Sequence, residues 1–161
     1  MSQPRLIDQA TLAALAAEAA QAPRLRKNQN FHADNADACH RLINALQPGT
    51  YIQPHRHLDA GKSESIIALA GSMGVLYFDE GGRIEQICVI APGGAVVGVN
   101  VPAGTFHSLV ALTPDCVFFE SKAGPYAPLE TAEKAAWAPA EGEPAVSAYL
   151  QHMLVHFNGL T

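Results

Sequence analysis

Short apolar runs, cut at close intervals by glycine and proline, fill the middle of this chain, and they predict strands. The runs cover residues 40–47, 50–57, 64–70, 72–79, 83–90, 95–101, 106–112 and 116–122. Pro48-Gly49, Pro92-Gly93-Gly94, Pro102-Ala103-Gly104 and Thr113-Pro114-Asp115 turn the chain between them. The clearest hairpin joins 72–79 to 83–90 through Glu80-Gly81-Gly82, because glycine tolerates the positive φ that tight hairpins need. Many short strands with such turns argue an all-β sandwich or barrel.

The two ends have a different texture. Residues 11–21 are strong helix formers, with Asp8 placed as N-cap and Pro23 as the stop. Ile7, Leu12 and Leu15 make a narrow apolar stripe among alanines, so this helix needs a surface to dock on. From Arg24 to His32 the residues Arg24, Arg26, Asn28, Asn30 and His32 share one parity. An extended segment would gather them on one polar face, either as a solvated edge strand or as an arm over a pocket mouth or partner subunit. Beyond Lys122 prolines and glycines break the chain repeatedly, Trp137 is the natural anchor, and Tyr149, Met153 and Phe157 recur with helical spacing. The expected organisation is an N-terminal helix and arm over 1–30, a β domain over 31–122 and an extension over 123–161 packed on it.

Composition narrows the function classes. A length of 161 residues fits one domain with short extensions. A net charge of −5 excludes the basic footprint of a nucleic-acid binder, and no run is long and apolar enough to span a membrane. Cys39, Cys88 and Cys116 are odd in number and form no Cys-x-x-Cys pair, so a disulfide framework is not expected and a reducing cytoplasm is. No leader-like basic and apolar start is visible.

The candidate chemistry lies between Gly49 and Gly71, and again at His107. In an extended 50–57, His55 and His57 point to one side and lie close enough to bind one ion, with Glu64 adding a carboxylate. His107 closes the set. Tyr51 and Gln53 share the parity of His55, which makes Tyr51 the candidate catalytic group and Gln53 a candidate substrate contact; Arg56 should face away. Thr105, Leu109 and Ala111 share the face of His107. Arg41 and Lys62 are candidate anion anchors.

The spacing Gly49, His55-Arg56-His57, Glu64, Gly71 resembles the first motif of the cupin superfamily, and Pro102 to His107 resembles the core of its second. Six residues separate His57 from Glu64, a longer loop than the motif usually has, and Ala111 stands in place of the usual closing Asn. Arg24 to Asn30, His40-Arg41-Leu42, Tyr51 to His57, Lys122 to Tyr126 and Trp137-Ala138-Pro139 resemble the WbuC-type cupins over most of the chain. The resemblance implies a cupin-type antiparallel β-barrel, that is a double-stranded β-helix or jelly roll, with an irregular C-terminal extension. It implies a small bacterial metalloprotein, in a family with some members tied to surface-polysaccharide gene clusters.

Three imidazoles and one carboxylate would hold one divalent ion (Fe, Mn, Zn or Ni) and leave positions open for a ligand. The first expectation is therefore a metal-dependent enzyme of dioxygenase, isomerase or lyase type acting on a small oxygen-rich molecule such as a sugar derivative. The second is a non-catalytic metal-dependent ligand-binding or sensor module. A closed structural site fits less well with the open positions. Open strand edges and the loosely tethered helix add the expectation of a homodimer.

Overall fold

The computed structural model describes residues 4–160. The described chain runs α1 (Gln9–Gln21), β1 (Arg26–Asn30), β2 (Cys39–Leu46), β3 (Glu64–Ala70), β4 (Met73–Phe78), β5 (Ile84–Ile90), β6 (Gly98–Val101), β7 (Phe106–Ala111), β8 (Cys116–Ala123), a 3₁₀ turn (Thr131–Glu133), α2 (Val146–Leu154) and a final 3₁₀ turn (Val155–Phe157). All strand pairing is antiparallel, in a five-stranded sheet of order β1-β2-β8-β3-β6 and a three-stranded sheet of order β5-β4-β7.

The expected barrel is not formed: both sheets stay open, so the jelly-roll closure implied by the sequence is corrected to two facing sheets. The reason lies in 50–57, expected as a strand. Pro54 has no N–H to give to a ladder, and the segment makes only single bridges, from His55 to His107 and to Lys134. It therefore crosses the gap beside β7 as an irregular segment instead of zipping the sheets together. In the C-terminal extension the helical spacing of Tyr149, Met153 and Phe157 is realised as α2 and the 3₁₀ turn that follows it.

The layers follow from side-chain alternation. Leu46, Ile66, Ala68 and Phe118 of the larger sheet meet Met73, Val75, Ile90 and Leu109 of the smaller one in the central core. On the outer face of the larger sheet, Ile43, Ala45 and Val117 pack against Leu12, Leu15, Ala16 and Ala19 of α1. Asp8 caps that helix, accepting from Thr11 N at 2.9 Å. Ile7, expected in the stripe, is left exposed. On the outer face of the smaller sheet, Leu76, Phe78, Phe106 and Val110 are sealed by Ala135, Ala138, Leu150, Met153 and Phe157. Gly74 is essential to that seal, because a Cβ there would stand 2.4 Å from the Phe157 ring. Among the described residues no helix is long and apolar enough to cross a membrane.

Candidate functional site

Along the inner face of β8 the side chains run Cys116, Phe118, Glu120, Lys122, apolar at one end and charged at the other. β3 matches it with Ala68, Ile66 and Glu64. The register sets Lys122 opposite Glu64 on one side and opposite His40 of β2 on the other. One end of the space between the sheets is thus dry core, and the other is a buried polar chamber.

His107 enters this chamber from β7, whose alternation sends His107, Leu109 and Ala111 inward. The crossing segment delivers His55 beside it through a reciprocal backbone pair, His55 N to His107 O at 3.1 Å and His107 N to His55 O at 2.9 Å. Further bonds fix the segment: Gly104 N to His57 O at 2.7 Å, Arg56 N to Glu133 O at 2.8 Å and Ala135 N to Pro54 O at 2.9 Å. The Glu133 carboxylate adds a bond from Leu58 N at 2.9 Å. The ring centres of His55 and His107 lie 4.7 Å apart, and those of His55 and His57 lie 5.6 Å apart.

Hydrogen bonds assign the imidazole protons. His55 Nδ1 lies 3.0 Å from the Gln53 carbonyl, and His107 Nδ1 lies 2.9 Å from that of Thr105. A carbonyl only accepts, so both Nδ1 atoms carry hydrogen. Nε2 is then the nitrogen left for another partner on each ring, the arrangement that metal-ligating histidines are given by such carbonyls. Glu64, almost fully buried, places Oε1 2.7 Å from His57 Nε2 and 2.8 Å from Lys122 Nζ, while Oε2 lies 3.3 Å from His107 Nε2. His107 thus meets from β7 the same carboxylate that His57 meets from the crossing segment.

The electrostatics are polarised accordingly. Burial works against ionised Glu64, but hydrogen bonds from His107 and His57 and the Lys122 charge outweigh it and hold the carboxyl well below the usual range. Burial, reinforced by His107, pushes the His55 imidazole down to about 3, so this ring is neutral. Lys122 also resists ionisation by burial, yet Glu120 and Glu64 outweigh that and hold its ammonium above the usual lysine range. A cavity of about 180 Å³ opens here against Glu64, His55, His107, Lys122, Leu109 and Phe118. A second, of about 220 Å³, shares His55 and Lys122 and adds His57, His40 and Lys62.

The fold brings His55, His57, Glu64 and His107 together, with Lys62 at the edge of the second cavity, where its Nζ bonds the Pro125 carbonyl at 3.0 Å. Gln53 turns to the C-terminal segment, donating to Ala135 O at 3.2 Å, although it shares a surface recess with His55. Tyr51 does not join the cluster. Its hydroxyl is committed to the Pro139 carbonyl at 2.8 Å, and it packs against Tyr149 on the outer side. The parity argument failed for Tyr51 because 50–57 is not a strand. Arg41 is exposed on the outer parity of β2 and is not in the site. Ala111 lies in the central core instead of the chamber wall. Sequence reasoning missed Lys122, Glu120 and Asn44, which a change from apolar to charged residues at alternate positions of β8 could have revealed.

The donor chemistry, three imidazoles and a carboxylate within contact of one another, fits a divalent ion. Among the described residues, however, no group of three or more His, Cys, Asp or Glu side chains stands ready to hold a metal. Glu64 touches His57 and His107 directly instead of standing back from an open centre.

Comparison with known proteins gives the following. The model of a family described as "Domain of unknown function (DUF6016)" matches residues 7–90. No curated protein matches. Among solved structures, KdgF from Halomonas sp. is similar at 17% identity and a TM-score of 0.51, over 66% of this chain and 84% of that one. An oxalate oxidase in complex with the substrate analogue glycolate is similar at 16% identity and a TM-score of 0.51, over 65% of this chain and 54% of that one. The conserved protein SPY1581 of unknown function from Streptococcus pyogenes is similar at 14% identity and a TM-score of 0.52, over 79% of this chain and 93% of that one. At these identities the likeness concerns the fold alone.

Proposed function

The chain belongs to the DUF6016 family of domains of unknown function, and from that premise we propose that it is a metal-dependent protein whose chamber takes a small oxygen-rich molecule, with enzymatic turnover as the preferred reading. His55, His57, His107 and Glu64 would hold the ion. The observation that carries this is the convergence on buried Glu64 of two ring nitrogens, His57 Nε2 at 2.7 Å and His107 Nε2 at 3.3 Å, with His55 held beside His107 by a reciprocal backbone pair. When bound, a divalent ion supplies Lewis acidity toward a ligand oxygen. The chain's own residues do the rest. The Gln53 and Thr105 carbonyls fix the rings of His55 and His107, and Leu109 and Phe118 provide an apolar wall that excludes water from one side. A cavity of about 180 Å³ suits a small molecule rather than a polymer. Fold kinship with an oxalate oxidase and the WbuC resemblance are compatible with small carboxylate or sugar-derived ligands.

One observation favours a second reading, a metal-dependent binding or sensor module. The expected catalytic hydroxyl, that of Tyr51, is already bonded to Pro139 O at 2.8 Å and stands outside the chamber. Turnover needs a positioned acid or base. The two readings separate in one experiment. Metal-loaded protein is incubated with a panel of keto acids, hydroxy acids and nucleotide sugars while oxygen uptake and product masses are followed. An enzyme converts at least one compound, and conversion disappears in His107→Ala. A binding module converts none, while a panel compound raises its melting temperature only when metal is present.

A further inference from the structure

Lys122 stands between two buried carboxylates. Its Nζ is 2.8 Å from Glu64 Oε1 and 2.8 Å from Glu120 Oε1, and Glu120 Oε2 accepts from Asn44 Nδ2 at 2.9 Å. An ammonium has three N–H donors and can serve both carboxylates at once. Glu120 keeps Asn44 as a partner whatever Lys122 does. The lysine also lines both cavities, so its head group sits at the wall they share.

We propose that Lys122 is the resident cation of the site. Its ammonium neutralises Glu64 while no metal is bound, and a divalent ion entering among the histidines displaces it from Glu64 onto Glu120. This rests on the metal reading above. The physical argument is one of charge. Without Lys122 the two carboxylates Glu64 and Glu120 would lose the ammonium that bridges them inside the fold, and an uncompensated buried charge is strongly destabilising. Lys122 removes that cost in the metal-free protein and lets the donors close upon one another. The same closeness makes Lys122 a competitor for Glu64 Oε1. Metal affinity is then set by how readily Glu120 takes the ammonium over. Lys122 is a positioning residue, since it acts on the ion only through Glu64.

The test is a titration of chelator-treated full-length protein with Mn²⁺, Co²⁺ and Zn²⁺ by calorimetry, with the cobalt absorption spectrum as a second readout and circular dichroism to verify folding. Glu120→Gln removes the place to which Lys122 retreats, so affinity should fall on the order of tenfold, the scale of changes around metal ligands. The double variant Lys122→Met with Glu120→Gln removes the competitor without leaving Glu120 unpaired. Its affinity should exceed that of the unmodified protein on the order of tenfold, and Lys122→Arg should stay near the unmodified value. If the double variant folds and binds no more tightly than the unmodified protein, the competition is refuted while the metal reading stands. If no folded form binds any of the three ions, the metal reading fails and this inference fails with it.

Discussion

The neutral state of His55 makes a quantitative demand on stability. Its folded-state pKa of about 3 lies below the ordinary 6.5, because burial and His107 disfavour the charged ring. Below pH 6.5 the unfolded chain takes up a proton at this residue that the folded chain refuses. Stability from this group is therefore fully present above pH 6.5 and is lost progressively as pH falls toward 3. At about 1.4 kcal/mol per unit, lowering the pH from about 7.5 to about 5 should remove about 2 kcal/mol through His55 alone. That figure is a ceiling, because the residue keeps part of its surface in contact with water. The assay is urea denaturation of chelator-treated protein and of His55→Gln at several pH values across this window. The difference between the two proteins isolates His55 from the other titrating groups. The variant should lose less stability on acidification, by up to about 2 kcal/mol. Equal pH slopes in the two proteins would refute the reasoning and would mean that His55 is freely protonated in the fold.

Other outcomes follow from packing. Gly74→Ala forces a Cβ to within 2.4 Å of the Phe157 ring and should destabilise the protein by about 1–3 kcal/mol, read from thermal unfolding and partly relieved by adding Phe157→Leu. Tyr51→Phe leaves the Pro139 carbonyl without its donor and should cost about 1 kcal/mol while metal content stays unchanged. A drop in metal content in Tyr51→Phe would put that residue back in the site.

Much of this architecture is legible in the sequence because turns are local. Glycine and proline bracketed most of the strands, and β3 begins and ends where its apolar run does. The helix over 9–21 was readable from Asp8 and Pro23. What could not be read was closure, because it depends on whether 50–57 pairs along its length with β7. Pro54 and the contacts of Pro54 and Arg56 with the 133–135 stretch decide against it, and those contacts link positions roughly eighty residues apart in a chain that has no local signal for them. With the strand went the parity rule that had placed Tyr51 in the chamber. The histidines and Glu64 still meet in space because His107 and Glu64 sit on real strands and His55 is tied to His107 by its backbone. Lys122 and Glu120 were hidden for a different reason. A charged pair at the end of a strand reads as solvent-exposed unless the opposite sheet is known to cover it.

We propose that one divalent ion is held by His55, His57, His107 and Glu64. Elemental analysis of protein purified without chelator, alongside His57→Ala and His107→Ala verified as folded, tests it most directly. Close to one transition-metal ion per chain is expected in the unmodified protein, with a large loss in each variant. Unmodified protein that carries no metal and takes up none on reconstitution, or variants that keep the full complement, would contradict it.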